Sequence, residues 1–292
     1  MRFAPTRRWS WHVVRIDLEL LRFASGRIVV DHTLMANRPA AKSPRSPAQV
    51  VTAVERVSRK LSRAVGALEF GDPVDVVYNP LEYAWKPHRQ YIRRFARPGI
   101  RALLLGMNPG PWGMAQTGVP FGEVEMVRSF LGIDEPVARP KIEHPKRPVT
   151  GFQCERREVS GARLWGWVES RFGSADPFFD RFFIWNDCPL SFMESSGRNR
   201  TPDKLPVEER EPLYAACDAA LRSLVGILQP SMVVGVGAHA TKRLSVTLAD
   251  RIDDGLEVGT ILHPSPASPA ANRGWADAAE RQMTELGLLE GI

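Results

Sequence analysis

The stretch RALLLGMNPGPWGMAQTGVPFGE, residues 101–123, joins a strand to an unusual loop. RALLLG has the short apolar run of a strand that is buried on both faces. The segment that follows, 106–123, holds five Gly, three Pro, an Asn, a Gln and two large aromatic residues. A turn needs only one or two such residues. We therefore expect this loop to hold a ligand close to its backbone.

Apolar strands alternate with helices along the rest of the chain. Further strands are predicted at RFFIWNDCPL (181–190), SMVVGVG (231–237) and EVGTIL (257–262). Helices are predicted at about 48–68, at 123–132 with Gly132 as the C-cap, at 161–173 with Ser160 as the N-cap, and at 208–228, 238–250 and 274–289. Residues 134–158 are expected to form a surface loop. The alternation is typical of an α/β fold in which helices cover both faces of a parallel sheet.

The chain is basic, but its charge is unevenly placed. It has 292 residues, 43% of them apolar, and a formal charge of +6. Residues 1–47 hold nine Lys or Arg and three Asp or Glu, whereas residues 48–292 hold 30 of each. We therefore expect 1–47 to be a poorly ordered basic appendage and 48–292 to be one folded domain. QYIRRFARPGIR (90–101) is either a local basic patch for nucleic acid or a solvated face.

Two classes of protein are disfavoured. No apolar run reaches the length of a membrane span, and the N-terminus lacks the pattern of a signal peptide. Three Cys, at 154, 188 and 217, are too few and too scattered for a disulfide framework or a Cys-rich metal site. We expect a reducing compartment.

Three polar residues follow predicted strands. Ligands of parallel α/β sheets lie beyond the carboxyl ends of the strands. Asn108 follows the first strand, Asn186 lies at the end of the second, and His263 follows the fourth. We expect these three side chains around one crevice.

Other motifs give weaker predictions. GVGAHA (235–240) is half of a dinucleotide fingerprint, but the acidic pair Asp253 and Asp254 precedes the next strand instead of ending it. Gly235 and Gly237 more simply let a strand turn tightly into a helix. His239 and His263 lack a carboxylate or thiolate at ligand spacing, so we predict no metal site. Ser265 has no base or orienting group in order for a nucleophile.

The three residues suit recognition of a pyrimidine. An Asn amide offers one donor and one acceptor, and uracil presents the matching N3–H and O4. Cytosine would oppose donor to donor at Asn186, leaving buried groups unsatisfied at about 1–3 kcal/mol each. A His donor opposite stabilises negative charge on a departing base, and Phe121 can stack on the ring. Such a pocket fits a pyrimidine flipped out of nucleic acid.

Longer motifs resemble a known family. The sequences YNPLEYAWKPHRQY, LLLGMNPGPWGMAQTGVPFGEVEMVRSFLGI, EHPKRPV, VSGARLWGW, SGRNRTP and HPSPASPAANRGW occur in order between about residues 52 and 290. They resemble the single-strand-selective monofunctional uracil-DNA glycosylases, the SMUG type of the uracil-DNA glycosylase superfamily. The resemblance implies a three-layer α/β/α sandwich with a central four-stranded parallel sheet.

The resemblance also implies roles for particular residues. Asn108 falls at the water-positioning position and His263 at the catalytic His, whereas Asn186 recognises the pyrimidine and Phe121 stacks on it. Met107 and Gly110 fall beside C5 of the base. The loop that enters the duplex corresponds to PASPAANRGW (266–275). The DNA-binding residues implied are Ser265, just before this stretch, and Pro266, Ala267, Ser268, Asn272 and Arg273 within it.

The chain departs from the family at two positions. The family often has an Arg where this chain has Ala267, although Arg273 remains later in the loop. The loss is expected to weaken duplex penetration and product retention without affecting the pocket. Trp112 replaces a common Phe, which we expect to conserve packing.

The function implied is DNA repair. The protein would hydrolyse the N-glycosidic bond of uracil and C5-oxidised uracils, such as 5-hydroxymethyluracil, in single- and double-stranded DNA. No Lys stands as an amine nucleophile in the motif loops that carry Asn108, Asn186 and His263, and neither metal nor other cofactor is expected. The protein would act as a monomer in the bacterial cytoplasm or the eukaryotic nucleus. The alternative is a non-catalytic binder of damaged or single-stranded DNA on the same fold.

Overall fold

A computed structural model describes residues 45–291 of the chain. The predicted appendage at 1–47 lies outside the described residues except for its last three. Of these, Ser46 caps the first helix: its side chain accepts a hydrogen bond from Gln49 N, and the Gln49 side chain accepts one from Ser46 N. This capping box starts the helix at Pro47, one residue earlier than predicted.

The elements follow one another in a largely alternating order. In chain order they are α1 (Pro47–Gly66), β1 (Val74–Tyr78), α2 (Pro80–Tyr83), α3 (Trp85–Phe95), β2 (Ala102–Gly106), α4 (Met114–Thr117), α5 (Val124–Ser129), α6 (Val159–Phe172), α7 (Ala175–Phe179), β3 (Phe182–Asn186), β4 (Ser191–Glu194), β5 (Asn199–Arg200), α8 (Val207–Leu228), β6 (Met232–Val236), α9 (Ala238–Thr247), α10 (Ala249–Asp253), β7 (Glu257–Ile261), α11 (Pro269–Asn272) and α12 (Trp275–Glu285).

The central sheet is the predicted one. Its strand order is β3-β2-β6-β7, and all neighbouring pairs are parallel. Every residue of β2, β3 and β6 is buried, although successive side chains point to opposite faces. Both faces of the sheet are therefore covered, which confirms the α/β architecture with a four-stranded parallel sheet.

A second, antiparallel sheet was not predicted. It has the order β1-β4-β5, and β1 pairs with β4 from Val74 to Tyr78. Strands β4 and β5 contain only four and two residues, too few for a periodic pattern to appear in the sequence. Strand β1 precedes β2 in the chain whereas β4 and β5 follow β3, so this sheet joins two distant parts of the sequence.

Three predicted details are wrong. Helix α5 ends at Ser129 with Phe130 as its C-cap, so Gly132 lies beyond the helix and does not cap it. Helix α6 begins at Val159 and is capped by Glu158, not by Ser160. The longer Glu158 side chain reaches forward to accept hydrogen bonds from Ser160 N and Gly161 N, which leaves Ser160 inside the helix. Strand β3 ends at Asn186, four residues before the predicted end at Leu190.

The basic segment at 90–101 is an ion-paired surface. Arg93 contacts Glu55, and Arg97 contacts Asp176 and Asp180. The segment leads into the amino end of β2, at the edge opposite the carboxyl ends of the strands. These features favour the solvated face over a nucleic-acid patch. No helix within residues 45–291 is long and apolar enough to cross a membrane.

The two glycines of GVGAHA have a packing role. A Cβ on Gly235 would overlap Thr241 N and lie 2.5 Å from Thr241 Cα. Gly237 has a φ of 92°, and a Cβ there would lie 2.9 Å from His263 Cβ. The tight strand-to-helix turn therefore needs both glycines. Asp253 closes α10, and Asp254 follows it, before β7 begins.

We expect Gly235→Ala to destabilise the fold by about 1–3 kcal/mol or more, because α9 must move away from β6. Urea unfolding measures the loss. Gly166→Ala is the control, since a Cβ there meets nothing within 4 Å and Ala favours a helix. Equal stability of the Gly235 variant and wild type would show that close packing is not the reason for this glycine.

Candidate functional site

A cavity of about 490 Å³ lies at the carboxyl ends of the parallel strands. Its lining brings together Asn108, Asn186 and His263, the three residues selected from strand order. The other lining residues are Met107, Pro109, Gly110, Gly113, Met114, Phe121, Glu158, Ser160, Asn199, Thr201, Ser265, Ala267 and Ser268. All six residues predicted for catalysis or base binding are therefore in one cavity.

The predicted DNA-binding loop lies partly outside this cavity. Ser265, Ala267 and Ser268 line it, whereas Pro266, Asn272 and Arg273 do not. The Asn272 amide ties the loop together, since its Nδ2 donates to Pro266 O and its Oδ1 accepts from Arg163, both at 2.9 Å. Arg273 follows α11 and is exposed.

Backbone pairing continues past the ends of β2 and β3. Asp187 N donates to Gly106 O, and Cys188 N donates to Met107 O, each at 2.9 Å. These bonds hold the loop after β2 against the chain that follows β3. Asn186 and Asn108 are consequently fixed on neighbouring backbones.

Gly106 allows two site residues to approach one backbone position. A Cβ there would lie 2.7 Å from Phe121 Cε2 and still closer to Asn186 Oδ1. Its φ is not in the left-handed region, so the need for glycine is spatial. Any side chain at 106 would displace the Phe121 ring or the Asn186 amide.

The Asn108 amide is held by its nitrogen. Nδ2 donates to Leu190 O at 3.2 Å and approaches Pro109 O at 3.5 Å. Within the described residues, Oδ1 accepts no hydrogen bond from protein. Asn108 is only half-buried, so this oxygen is the atom available to a water molecule.

Asn186 presents a buried amide. Only 6% of the residue is exposed, and Nδ2 contacts Met114 Sδ at 3.2 Å. Sulfur is a weak acceptor. The amide therefore keeps its strong hydrogen-bonding capacity for a ligand.

Phe121 adopts a strained backbone conformation. Its φ is 52°, which is uncommon for a residue other than glycine. The Trp165 indole donates to Phe121 O at 3.0 Å and holds this conformation. The Phe121 ring centroid lies 6.1 Å from that of His263. The strain places an aromatic ring in the wall of the cavity, as is common at functional sites.

His263 is a neutral hydrogen-bond donor. Burial lowers the pKa of His263 to about 4, so the imidazole is uncharged at pH 7. Ser265 N donates to His263 Nδ1 at 3.0 Å. Because Nδ1 is the acceptor, the proton of the neutral ring is on Nε2. His263 can therefore donate to developing negative charge.

Comparisons with known proteins match this architecture. A model of the uracil DNA glycosylase superfamily matches residues 94–283. The single-strand selective monofunctional uracil DNA glycosylase of Mus musculus is 50% identical over 230 residues, which cover 79% of this chain and 82% of that protein. The Bos taurus protein of the same name is 49% identical over 247 residues, covering 85% of this chain and 89% of that protein.

The chain belongs to the uracil DNA glycosylase superfamily. Within it, the relatives place the chain with the single-strand selective monofunctional uracil-DNA glycosylases, in agreement with the sequence motifs. The crystal structure of wild-type SMUG2 from Pedobacter heparinus has the same fold. Its TM-score is 0.57 at 15% identity, with 81% of this chain and 99% of that chain covered.

Several residues that line the cavity were not predicted to belong to the site. Asn199 and Thr201 come from the β4–β5 hairpin and its exit, inside the motif SGRNRTP, which carried the resemblance but received no role. Glu158 lines the cavity while capping α6. Burial raises the pKa of Glu158, against the hydrogen bonds from Ser160 and Gly161. Among residues 45–291, no three His, Cys, Asp or Glu side chains form a group that could hold a metal ion.

We expect the His263 ring to stay neutral, with its proton on Nε2, from pH 8 down to about pH 5. The depressed pKa is the reason, since a ring with a pKa of about 4 is half protonated only near pH 4. Nitrogen-15 NMR of the imidazole over this range measures both the charge and the tautomer. Titration of His263 near the ordinary value of about 6.5, or a proton on Nδ1, would contradict the assignment.

Proposed function

We propose that this protein is a DNA-repair glycosylase that removes uracil and C5-oxidised uracils, such as 5-hydroxymethyluracil, from single- and double-stranded DNA. It would flip the base into the cavity and hydrolyse the N-glycosidic bond, which starts base excision repair. Family membership gives the broader class, a monofunctional uracil-DNA glycosylase. The main observation in support of this proposal is that Asn108, Asn186 and His263, all uncharged, line one cavity.

The buried amide of Asn186 supports selection of uracil. Its oxygen can accept from uracil N3–H, and its nitrogen can donate to O4. Cytosine presents an amino group and an unprotonated ring nitrogen at the same edge, so both pairings fail in the amide orientation in which Nδ2 contacts Met114 Sδ. Because the amide is almost fully buried, water cannot compensate for the mismatch.

The arrangement supports a dissociative hydrolysis. As the glycosidic bond stretches, the sugar gains oxocarbenium character and the base gains negative charge. The Nε2 proton of His263 would stabilise that charge without a proton transfer. Asn108 Oδ1 would accept a hydrogen bond from the water that attacks C1′. The departing base keeps the electron pair, and the water oxygen forms the new bond to C1′. The proton that this water loses passes to solvent, and the uracil anion takes up a proton from solvent once it is released.

The lining also supports a hydrolase that leaves the DNA strand intact. No Lys is among the cavity residues, so the lining offers no amine for a Schiff base with the sugar. We propose that one copy of the chain acts on DNA, since Asn108, Asn186 and His263 all come from the same chain. It would act in the compartment that holds DNA, the nucleus or the bacterial cytoplasm.

Gly110 supports activity on bases with a C5 substituent. A Cβ at Gly110 meets nothing within 4 Å, and its φ is not in the left-handed region. The position therefore leaves open space, and the backbone conformation there does not require a glycine. A hydroxymethyl group fits such a space. A thymine methyl would displace water there without replacing its hydrogen bonds.

A cleavage assay tests the proposal. The protein is incubated with a uracil-containing oligonucleotide, single-stranded or duplex, and abasic sites are then cleaved with alkali. We expect a fragment at the uracil position and none from the matching cytosine oligonucleotide. Binding of the uracil strand without any fragment would instead support the non-catalytic DNA-binding protein.

We expect His263→Ala and Asn108→Ala each to slow uracil release by about 10²–10³, because each removes one preorganised polar group from the transition state. Single-turnover rates at saturating enzyme measure the loss. His239→Ala is the matched control, since His239 is not among the cavity residues. A near-normal rate for either site variant would remove its assigned role.

We expect Gly110→Tyr to separate two substrates. The added ring would fill the space beside C5, so release of 5-hydroxymethyluracil should fall about tenfold to a hundredfold more than release of uracil, the scale of overpacking. Single-turnover rates on both bases decide the outcome. Equal losses on both would mean that Gly110 does not set the C5 space.

A further inference from the structure

The loop after β2, which forms part of the cavity, carries an aromatic residue that is not in the cavity lining. Trp112 stands between Gly110 and Gly113, both of which are cavity residues. Its side chain is only half-buried. Two guanidinium groups approach the indole, Arg147 at 5.1 Å and Arg156 at 5.7 Å from the ring centroid. We call Trp112, Arg147 and Arg156 the Trp112 cluster.

Neither guanidinium group of the cluster stacks closely on the indole. Elsewhere in the molecule, Arg59 lies over Trp85 at 3.6 Å, the distance of a stacked guanidinium. Both guanidinium groups at Trp112 are farther away. The cluster therefore leaves more room over the ring than a closed Arg–Trp stack does.

The two arginines of the cluster differ in how they are held. Arg147 Nε donates to Gly197 O at 2.8 Å, and its NH1 donates to Lys146 O at 2.9 Å. Arg156 is exposed, and within residues 45–291 its side chain makes no hydrogen bond. Neither arginine forms a salt bridge with a described carboxylate. One charge is thus fixed and the other is free to move toward a ligand.

The surroundings of the cluster join it to the cavity. Arg147 contacts the turn between β4 and β5 through Gly197, and the same hairpin supplies the cavity residue Asn199. Arg156 precedes Glu158, another cavity residue. The hairpin follows β3 and the duplex-entering loop follows β7, and these are the two edge strands of the sheet. The cluster therefore contacts the hairpin that follows β3, whereas the duplex-entering loop follows β7.

We propose that the Trp112 cluster binds the nucleotide next to the excised base in single-stranded DNA. The neighbouring base would stack on the indole, and the guanidinium groups would contact its phosphates. Aromatic platforms with adjacent cations bind single strands in this way, because every base has a stacking face. The inference rests on the proposed function and deepens it by adding a subsite for the substrate strand.

The cost of unstacking the neighbouring base favours binding of a single strand over a duplex. A base in a duplex is already stacked on its neighbours, and it would have to leave them to reach Trp112. A base in a single strand gives up less. With Ala267 in place of an Arg in the duplex-entering loop, the cluster supplies binding energy that does not require a duplex.

A combination of protein and DNA changes tests the subsite. Uracil release is measured with Trp112→Ala on a single strand carrying uracil between ordinary nucleotides, and on a strand in which both neighbours are abasic tetrahydrofuran residues. On the ordinary strand we expect KM to rise about tenfold, equivalent to 1.4 kcal/mol, with kcat unchanged. On the abasic-flanked strand we expect wild type and variant to have the same KM, because this strand has no neighbouring base that could stack on residue 112.

Controls separate the explanations. Trp112→Phe keeps a smaller ring and should raise KM less than Trp112→Ala, and Trp85→Ala should leave it unchanged. An unchanged KM for Trp112→Ala would overturn the proposal, as would the same penalty on both strands, which would mean that Trp112 only shapes its loop. If wild type releases no uracil, the proposed function fails instead. Weaker binding of uracil-free oligothymidine by Trp112→Ala, measured by anisotropy, would still support the subsite.

Discussion

The candidate site depends on how closely β2 and β3 approach at their carboxyl ends. Two backbone hydrogen bonds at and beyond the strand ends, from Asp187 to Gly106 and from Cys188 to Met107, hold the segments after β2 and β3 together where the pocket begins. At that point Gly106 leaves space for both the Asn186 amide and the Phe121 ring. The loop after β2 can therefore place Asn108 beside Asn186, while the parallel pairing through β6 to β7 brings His263 to the same edge. The register of the sheet and the lack of a side chain at Gly106 thus set the positions of all three polar groups.

The electrostatics of the cavity favour neutral hydrogen bonding over charge. Burial keeps His263 uncharged by lowering its pKa to about 4, and the two asparagines carry no charge at any pH. The carboxylate of Glu158 is tied to the amino end of α6. Beneath the site, Asp187 contacts Arg243, which also contacts Asp218, and only 2% of Asp187 is exposed. Burial raises the pKa of Asp187 to about 6, against the charge of Arg243. Such a cavity suits a neutral ring whose charge appears only as its bond breaks.

Much of this was predictable because parallel α/β sheets leave strong signals. Buried strands read as apolar runs, and the rule that ligands lie at carboxyl ends was enough to select Asn108, Asn186 and His263. The β4–β5 hairpin was missed because its strands are too short for a pattern, and Asn199 and Thr201 were missed with it. Glu158 was missed because a long carboxylate is an unusual N-cap and Ser160 is a common one. The positive φ of Phe121 and the need for space at Gly106 depend on tertiary contacts, which no local pattern of the sequence indicates.

A crystal structure of the Asn108→Ala variant bound to a single-stranded oligonucleotide containing uracil would show directly how the cavity holds the base. Removal of Asn108 should slow hydrolysis by about 10²–10³ while leaving the other wall residues in place, and a 2′-fluoro substituent on the sugar, which disfavours the oxocarbenium ion, keeps the base attached during crystallisation. We expect the uracil ring to lie against Phe121, with its O4 and N3–H bonded to the Asn186 amide and the carbonyl oxygen beside the glycosidic nitrogen accepting from His263 Nε2. A uracil that remains stacked in the strand, or that enters the cavity without contacting Asn186, would contradict the account.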